Sequence, residues 1–224
     1  MPQPPELVLF DVNETLSDMA PLAERFADVG LPTELARTWF ASTLRDGFAL
    51  AATGRAASFR DIAEAAFRAL ATGQRLDRPE PEAVAHVIDG FWDLDVHPDV
   101  AQGMTLLAGA GVRLATLSNG APSVAESLLE RAGLRQHVER VLSVEDAGLW
   151  KPAAAAYAYG LDACGVAASG AMLVAVHPWD INGAALAGMR TGWLNRQGQS
   201  YPPFFEAPEQ QAGSLVELAG TLIG

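Results

Sequence analysis

The chain has 224 residues, 50% of them hydrophobic and 19% charged, a balance typical of a globular protein with one core or one core plus a smaller domain. Its net charge of −12, with fifteen scattered Lys and Arg, argues against a cationic surface for nucleic acid or acidic lipid. The single cysteine excludes a disulfide framework and a multi-cysteine zinc site. No signal peptide or membrane span is predicted, which favours a cytoplasmic protein.

The first part of the chain is predicted to form one buried strand and then a helical insert. The apolar run 7–10 predicts a strand that ends at the polar, turn-forming residues 11–15. Helical periodicity predicts three helices, over residues 33–50, 58–71 and 81–92. Ser58 and Asp61 form a capping signal at the start of the second helix.

After residue 98 the pattern alternates between strands and helices. Strands are predicted over 112–117, 138–144, 172–176 and 191–194. Helices are predicted over 100–108, 153–164 and 180–187, with another opened by the capping pair Ser123 and Glu126. Strict alternation predicts an α/β fold in which helices cover both faces of a parallel, Rossmann-like sheet.

Chemically versatile side chains follow four of the predicted strands. Asp11 follows the first strand, Ser118 and Asn119 the second, Lys151 the third and Asp180 the fourth. Ligands of open parallel sheets bind outside the carboxyl ends of the strands, so these side chains are expected to face one another. Each could instead stabilise a turn, begin a loop or lie on the surface, but their joint position favours a site.

The residue types at these positions suit covalent catalysis by a carboxylate. Asp11 could attack an electrophilic centre and be released later by hydrolysis of the resulting ester or acyl phosphate. Lys151 would hold Asp11 ionised, while Ser118 and Asn119 would donate hydrogen bonds to the substrate. Asp180 would hold Lys151 in place or help to position the hydrolytic water.

Four short strings resemble the motifs of the haloacid dehalogenase superfamily. Residues 9–16, Leu-Phe-Asp-Val-Asn-Glu-Thr-Leu, resemble its first motif, whose Asp is the nucleophile, and the later motifs match, in order, Leu-Ser-Asn-Gly at 117–120, Lys-Pro at 151–152 and Trp-Asp at 179–180. The resemblance spans about residues 7–196. It implies a Rossmann-like catalytic core over 1–18 and 96–224, with a helical cap domain over 19–95 inserted after the first strand.

Two positions favour the metal-independent 2-haloacid dehalogenases within that superfamily. Phosphatases usually carry a second Asp two positions after the nucleophile, where this chain has Asn13, which cannot exchange a catalytic proton near neutral pH. Val176 stands where a phosphatase's other metal-loop Asp would lie, and an apolar side chain cannot bind magnesium. The resemblance therefore implies halide displacement through an ester on Asp11, without a cofactor.

The resemblance also assigns residues to the site. The expected catalytic residues are Asp11, Thr15, Ser118, Lys151, His177 and Asp180. The expected substrate-binding residues are Asn13, Trp39, Phe40, Phe59, Asn119, Tyr157 and Trp179. A small-molecule substrate and a homodimer are the expected partners.

Three departures from the family pattern concern the substrate. Phe40 replaces the arginine that receives the halide, Ala175 and His177 replace a serine and an asparagine, and Asn13 replaces a tyrosine. Arg37, one helical turn before Phe40, could reach the pocket, whereas Arg45 should point elsewhere. His177 could bind the nucleophile or activate water, or it could simply satisfy a backbone carbonyl.

Two alternatives stay open at this point. The first is a phosphatase of the same superfamily, which would use magnesium. The second is a non-catalytic binding module on the same fold.

Overall fold

The computed structural model describes residues 4–224. The strands of this range are β1 (Leu7–Phe10), β2 (Arg113–Ser118), β3 (Arg140–Ser143), β4 (Ala171–Ala175), β5 (Arg190–Leu194) and β6 (Gln210–Ala212). Its α-helices are α1 (Leu22–Ala27), α2 (Leu35–Ala52), α3 (Phe59–Ala71), α4 (Glu80–Asp89), α5 (Val100–Gly109), α6 (Pro122–Arg131), α7 (Val144–Ala147), α8 (Ala154–Cys164), α9 (Pro178–Leu186) and α10 (Leu215–Ile223). Short 3-10 helices cover Gly90–Asp93, Arg135–His137 and Ala168–Gly170.

All six strands are parallel, in the order β3-β2-β1-β4-β5-β6. The central strand, β1, pairs with both β2 and β4, so that Phe10 lies opposite Thr116 on one side and Val174 on the other. The predicted parallel sheet is therefore confirmed. Its register places the residues that follow β1, β2 and β4 at one edge.

Helices cover both faces of the sheet, as predicted. Leu7 and Leu9 of β1 are buried on the face covered by α8 and α9, whereas Val8 and Phe10 are buried against α5, α6 and α10. Successive strand residues point to opposite faces, so a strand covered on both sides is apolar throughout. The four residues of β1 are fully buried for this reason.

The segment between β1 and α5 contains α1, α2, α3 and α4, which pack against one another. Its two connections to the sheet run side by side, since Asp18 N donates to Asp95 O (2.8 Å) and His97 N donates to Leu16 O (2.9 Å). None of the helices within 4–224 is long and apolar enough to cross a membrane. The assignment of 19–95 to a separate cap domain stays a prediction.

Most of the predicted elements are present with ends shifted by one to three residues, but some predictions were incomplete. The sequence patterns missed α1, α7, β6 and α10. Ser58 caps α3 as predicted, because its Oγ accepts a hydrogen bond from Asp61 N. The predicted Ser123 cap is wrong, since α6 begins at Pro122 after Ala121. Proline suits the first helical position because its φ is already helical and that position needs no N–H.

Candidate active site

One buried ammonium group joins two carboxylates at the carboxyl edge of the sheet. Lys151 Nζ donates to Asp11 Oδ1 (2.9 Å) and to Asp180 Oδ2 (2.6 Å). Lys151 and Asp180 are fully buried, and Asp11 is 4% exposed. Lys151 is also the only lysine in the chain. Three residues that follow three different strands therefore meet, as their predicted positions imply.

The carboxylate of Asp11 is held ionised by its neighbours. Thr15 Oγ1 donates to Asp11 Oδ2 (2.7 Å) and itself accepts from the backbone N–H of Val176 (3.1 Å). Burial would raise the pKa of Asp11, but Lys151, His177 and Thr15 together hold that pKa below its ordinary value. An ionised carboxylate with little water around it is a good nucleophile.

Asp180 has the opposite character. Its Oδ1 accepts from the hydroxyl of Tyr157 (2.6 Å), and its other oxygen accepts from Lys151. Burial raises the pKa of Asp180, Lys151 lowers it in part, and the negative charge of Asp11 adds to the rise. Burial and Asp180 also raise the pKa of Tyr157 well above its ordinary value, so Tyr157 stays a donor. Asp180 is therefore the more basic of the two acids.

Asn119 fixes the backbone of Lys151. Its Oδ1 accepts from Lys151 N (2.9 Å), and its Nδ2 donates to Lys151 O (3.3 Å). Both polar atoms of the amide thus bind the loop that carries the lysine, whereas the sequence predicted that Asn119 binds the substrate. Ser118 Oγ accepts from Gly120 N (2.9 Å) at the end of β2, and Gly120 lies next to the side-chain amide of Asn13.

His177 lies beside the nucleophile. Its Nε2 is 3.6 Å from Asp11 Oδ2, 3.2 Å from Asn13 O and 3.7 Å from Glu14 Oε2. The ring stacks on Trp179, with centroids 5.1 Å apart and planes inclined by 20°. His177 comes directly before α9, so its position and that of Asp180 in the first turn are fixed together.

Phe40 and Phe59 of the helical segment form an apolar wall beside this cluster. The ring of Phe40 lies 6.4 Å from those of His177 and Phe59, and Phe59 stacks on Trp150 at 5.9 Å. Both phenylalanines are buried. The arginine expected from the family pattern is thus replaced by a neutral ring in contact with His177.

Trp39 is not brought to the cluster. Its ring packs between Phe26 and Phe91, and its Nε1 donates to the carbonyl of Ala63 (2.8 Å). It is fully buried among the helices of the segment. The structure therefore gives Trp39 a packing role, and its N–H is not available to a halide.

Neither arginine considered as a replacement is seen in the cluster. Arg37 is exposed on α2, and Arg45 is exposed and pairs with its neighbour Asp46 at 2.8 Å. Lys151 and His177 are therefore the basic side chains that lie within 4 Å of the acids of the site.

Two residues at the site were not found from the sequence. The first is Glu14, whose left-handed backbone brings its carboxylate to His177. A glutamate in the turn after β1 gives no sequence signal for a left-handed conformation. Trp150 joins the helical segment to Lys151: its Nε1 donates to Ala57 O (3.0 Å), and its ring faces Gly47 of α2. An aromatic residue directly before the lysine was the only signal available.

The side chains suit carboxylate chemistry better than metal binding. Among residues 4–224, no three His, Cys, Asp or Glu side chains are grouped as a metal ion would need. Val176 supplies no donor where a phosphatase's metal-loop Asp would lie, and Asn13 supplies an amide where a phosphatase carries its proton-exchanging Asp. Asp11 instead has an ammonium, a hydroxyl and an imidazole around its two oxygens.

Comparisons with known proteins agree with this geometry. A family model described as haloacid dehalogenase-like hydrolase matches residues 5–188. (S)-2-haloacid dehalogenase 4A of Burkholderia cepacia is 31% identical over 94% of the chain and 91% of its own length. (S)-2-haloacid dehalogenase of Pseudomonas sp. (strain YL) is 28% identical over 97% and 95%, respectively. A crystal structure of a dehalogenase with an intermediate complex superposes over all of both chains, with a TM-score of 0.91 and 26% identity.

Proposed function

Because the chain belongs to the haloacid dehalogenase-like hydrolases, we propose that it displaces halide from a small 2-halo carboxylic acid through an ester on Asp11. The observation that carries the proposal is the buried carboxylate of Asp11, held between Lys151 at 2.9 Å and Thr15 at 2.7 Å. The names of the relatives, which are (S)-2-haloacid dehalogenases, support the same reaction and the (S) enantiomer.

The first step is a displacement at C2 of the substrate. A carboxylate oxygen of Asp11 forms a bond to C2, and the carbon–halogen bond breaks as the halide leaves with its electron pair. No proton is transferred, so this step needs an ionised nucleophile more than it needs an acid. Lys151, Thr15 and His177 keep Asp11 in that state and orient it.

The second step is hydrolysis of the ester. Water attacks Cγ of Asp11, and the ester carbonyl oxygen takes up negative charge. The bond between Cγ and the ester oxygen then breaks, so the C2–O bond formed in the first step stays intact in the hydroxy acid that leaves. The Lys151 ammonium, the Thr15 hydroxyl and the His177 imidazole lie around the oxygens that carry this charge. We propose that Asp180, the acid with the raised pKa, takes the proton of the water and gives it to the departing oxygen of the hydroxy acid.

The walls of the site would select a small substrate. Phe40, Phe59 and Trp179 supply apolar and aromatic surface next to His177. Such surfaces suit a short carbon chain and a weakly hydrated halide. We further propose that residues 19–95 act as a cap over this site, that no metal is required, and that the enzyme is a cytoplasmic homodimer.

Two assays test the reaction class. Halide release from (S)-2-chloropropionate in excess EDTA is expected, together with (R)-lactate, because one displacement inverts C2 and hydrolysis at Cγ leaves it unchanged. Magnesium-dependent release of phosphate from a generic phosphate ester, without halide release, would establish the phosphatase alternative instead. Neither activity in the wild type, together with a ligand affinity that Asp11→Asn leaves unchanged, would support a non-catalytic binding module.

An isotope experiment tests the intermediate. Multiple turnovers in oxygen-18 water should place label in the peptide that contains Asp11, since the water oxygen enters that carboxylate. Label that enters only the hydroxy acid would mean direct attack of water on C2. Asp180→Asn provides a matched acid variant in which Asp11 can still form the ester.

A further inference from the structure

Glu14 has a backbone conformation that is unusual for its residue type. Its φ is 62°, and among residues 4–224 it is the only residue other than glycine with a positive φ. A side chain with a Cβ is disfavoured in this left-handed region, which glycine enters without penalty. The backbone of Glu14 is therefore strained, and Glu14 lies in the turn that directly follows the nucleophile. Backbone strain of this kind is often found at functional sites.

The turn is held in this conformation from two sides. His97 Nε2 hydrogen bonds to the carbonyl of Glu14 (3.0 Å), and Arg196 donates to the carbonyl of Thr15 (3.0 Å). His97 follows the helical segment, and Arg196 follows β5, so separate parts of the core fix the same turn. The conformation is therefore imposed by the fold and is not a free loop geometry.

The conformation brings a second carboxylate to His177. Glu14 Oε2 lies 3.7 Å from His177 Nε2, with the Glu14 side chain 44% exposed and the His177 side chain 12% exposed. The other oxygens near the same nitrogen are Asn13 O at 3.2 Å and Asp11 Oδ2 at 3.6 Å. A carbonyl and ionised carboxylates only accept hydrogen bonds, so Nε2 carries a hydrogen.

The remaining neighbours of His177 do not compete for this hydrogen. Trp179 and Phe40 lie against the imidazole ring and bring no charge. Lys151 contacts Asp11 through the other carboxylate oxygen, and Asp180 is bound to Lys151 and Tyr157. The charged groups that face Nε2 directly are thus Asp11 and Glu14.

We propose that Glu14 is a positioning residue that holds the His177 imidazole against the nucleophile: Nε2–H bonds to the carbonyl of Asn13, and Glu14 keeps the ring where this nitrogen lies 3.6 Å from Asp11 Oδ2. The inference rests on the proposed function and deepens it, because this N–H would stabilise the negative charge on the Asp11 ester during hydrolysis. It also gives a reason for the strain, because in this left-handed conformation the Glu14 carboxylate lies 3.7 Å from the imidazole.

Three variants separate positioning from ordinary structure. Glu14→Gly removes both the strain and the carboxylate, so its thermal midpoint should stay the same or rise while kcat falls about two- to fivefold. Glu14→Gln keeps the strain and the side-chain size but loses the charge. In both variants kcat should fall without a loss of thermal stability, because the His177 ring is no longer held toward Asp11. Glu145→Gln, an exposed acid on α7, should change neither.

A double variant tests whether the effect passes through His177. Glu14→Gln should lower kcat in the wild-type background and have no further effect in His177→Asn. Equal losses in both backgrounds would overturn the proposal, as would a Glu14→Gly protein that is less stable but kinetically normal.

A measurement without substrate keeps this proposal distinct from the proposed function. Nitrogen-15 NMR of the imidazole rings should show His177 with hydrogen on Nε2 in the wild type, and the Nε2 signal should shift in Glu14→Gln, because one of the three acceptors around this nitrogen is lost. The chain has four histidines, and the His177→Asn spectrum identifies the signal. Unchanged His177 signals in an active enzyme would refute the role of Glu14, whereas a changed signal in a protein that releases no halide would refute only the dehalogenase function.

Discussion

The ammonium nitrogen of Lys151 lies 2.6 Å from Oδ2 of Asp180, and both side chains are fully buried. Asp11 shares the same nitrogen, so one buried cation serves two carboxylates. Burial lowers the pKa of Lys151, but the two carboxylates raise it above its ordinary value. Its stabilising contribution is therefore complete at neutral pH and is lost only as the pH rises through that raised pKa.

Lys151→Met should destabilise the protein by about 3–5 kcal/mol at pH 7, because it leaves two buried carboxylates without a cation. The deficit should shrink as the pH falls, since the carboxylates can then take up protons. Urea unfolding at pH 7 and pH 5 measures both effects. Arg140→Met, which removes an exposed cation from β3, is the control and should change stability by less than about 0.5 kcal/mol. Equal stability of both variants at pH 7 would contradict the expectation.

The ester on Asp11 should accumulate in acid. The pKa of Asp11 is lowered and that of Asp180 is raised, so at an acidic pH between the two pKa values the nucleophile is ionised while the acid assigned to hydrolysis is protonated. Acid quenching followed by mass spectrometry of the peptide containing Asp11 should detect the adduct there, and much less of it at pH 7. In Asp180→Asn the adduct should persist at both values. Its absence from Asp180→Asn would remove Asp180 from the second step.

Trp39→Phe should lower stability and leave catalysis almost unchanged. It removes the hydrogen bond to Ala63 O and part of a fully buried ring, at a cost of about 1–3 kcal/mol. Thermal unfolding tests the expected loss of stability. The KM values for a series of 2-halo acids with different halogens test the expectation for catalysis. Trp92→Phe, at a partly exposed position, should cost less than about 0.5 kcal/mol. If Trp39→Phe changed KM by different factors for different halogens, Trp39 would have to contact the halogen of the substrate.

Gly47→Ala should destabilise the protein although alanine is the better helix former. A Cβ at Gly47 would overlap the ring of Trp150, and overpacking of this kind costs about 1–3 kcal/mol. Because Lys151 follows Trp150 directly, kcat/KM should fall as well. Gly220→Ala in α10 meets no neighbour within 4 Å and should stabilise by about 0.5–1 kcal/mol. A gain of stability at both positions would show that Trp150 can shift without consequence.

The sheet could be predicted because its strands are apolar throughout and end at polar residues. β1 and β4 are buried on both faces, and their uninterrupted apolar sequences are typical of such strands. Asp11, Lys151 and Asp180 could be predicted to meet because parallel strands deliver their carboxyl ends to one edge. Short elements such as α1 and β6 have too few residues to show the hydrophobic periodicity of a helix or a strand.

The parts of the site that were missed depend on geometry that no local pattern expresses. The indole of Trp39 bonds to a carbonyl 24 residues away, so its distance from Asp11 could not be read from its position on a helix. Glu14 reaches His177 only because the turn is left-handed, and two distant side chains hold it so. Such contacts are set by tertiary packing, which overrides local preference.

The burial of Lys151 gives the chain an uncommon chemical property. As the only lysine, it leaves the folded surface without a side-chain amine, so strictly amine-directed reagents can react there only with an α-amino group. Any modification of Lys151 therefore marks an opening of the protein around its reactive centre. The rate at which Lys151 is labelled, with and without a bound 2-hydroxy acid, would measure how often the protein opens around this residue.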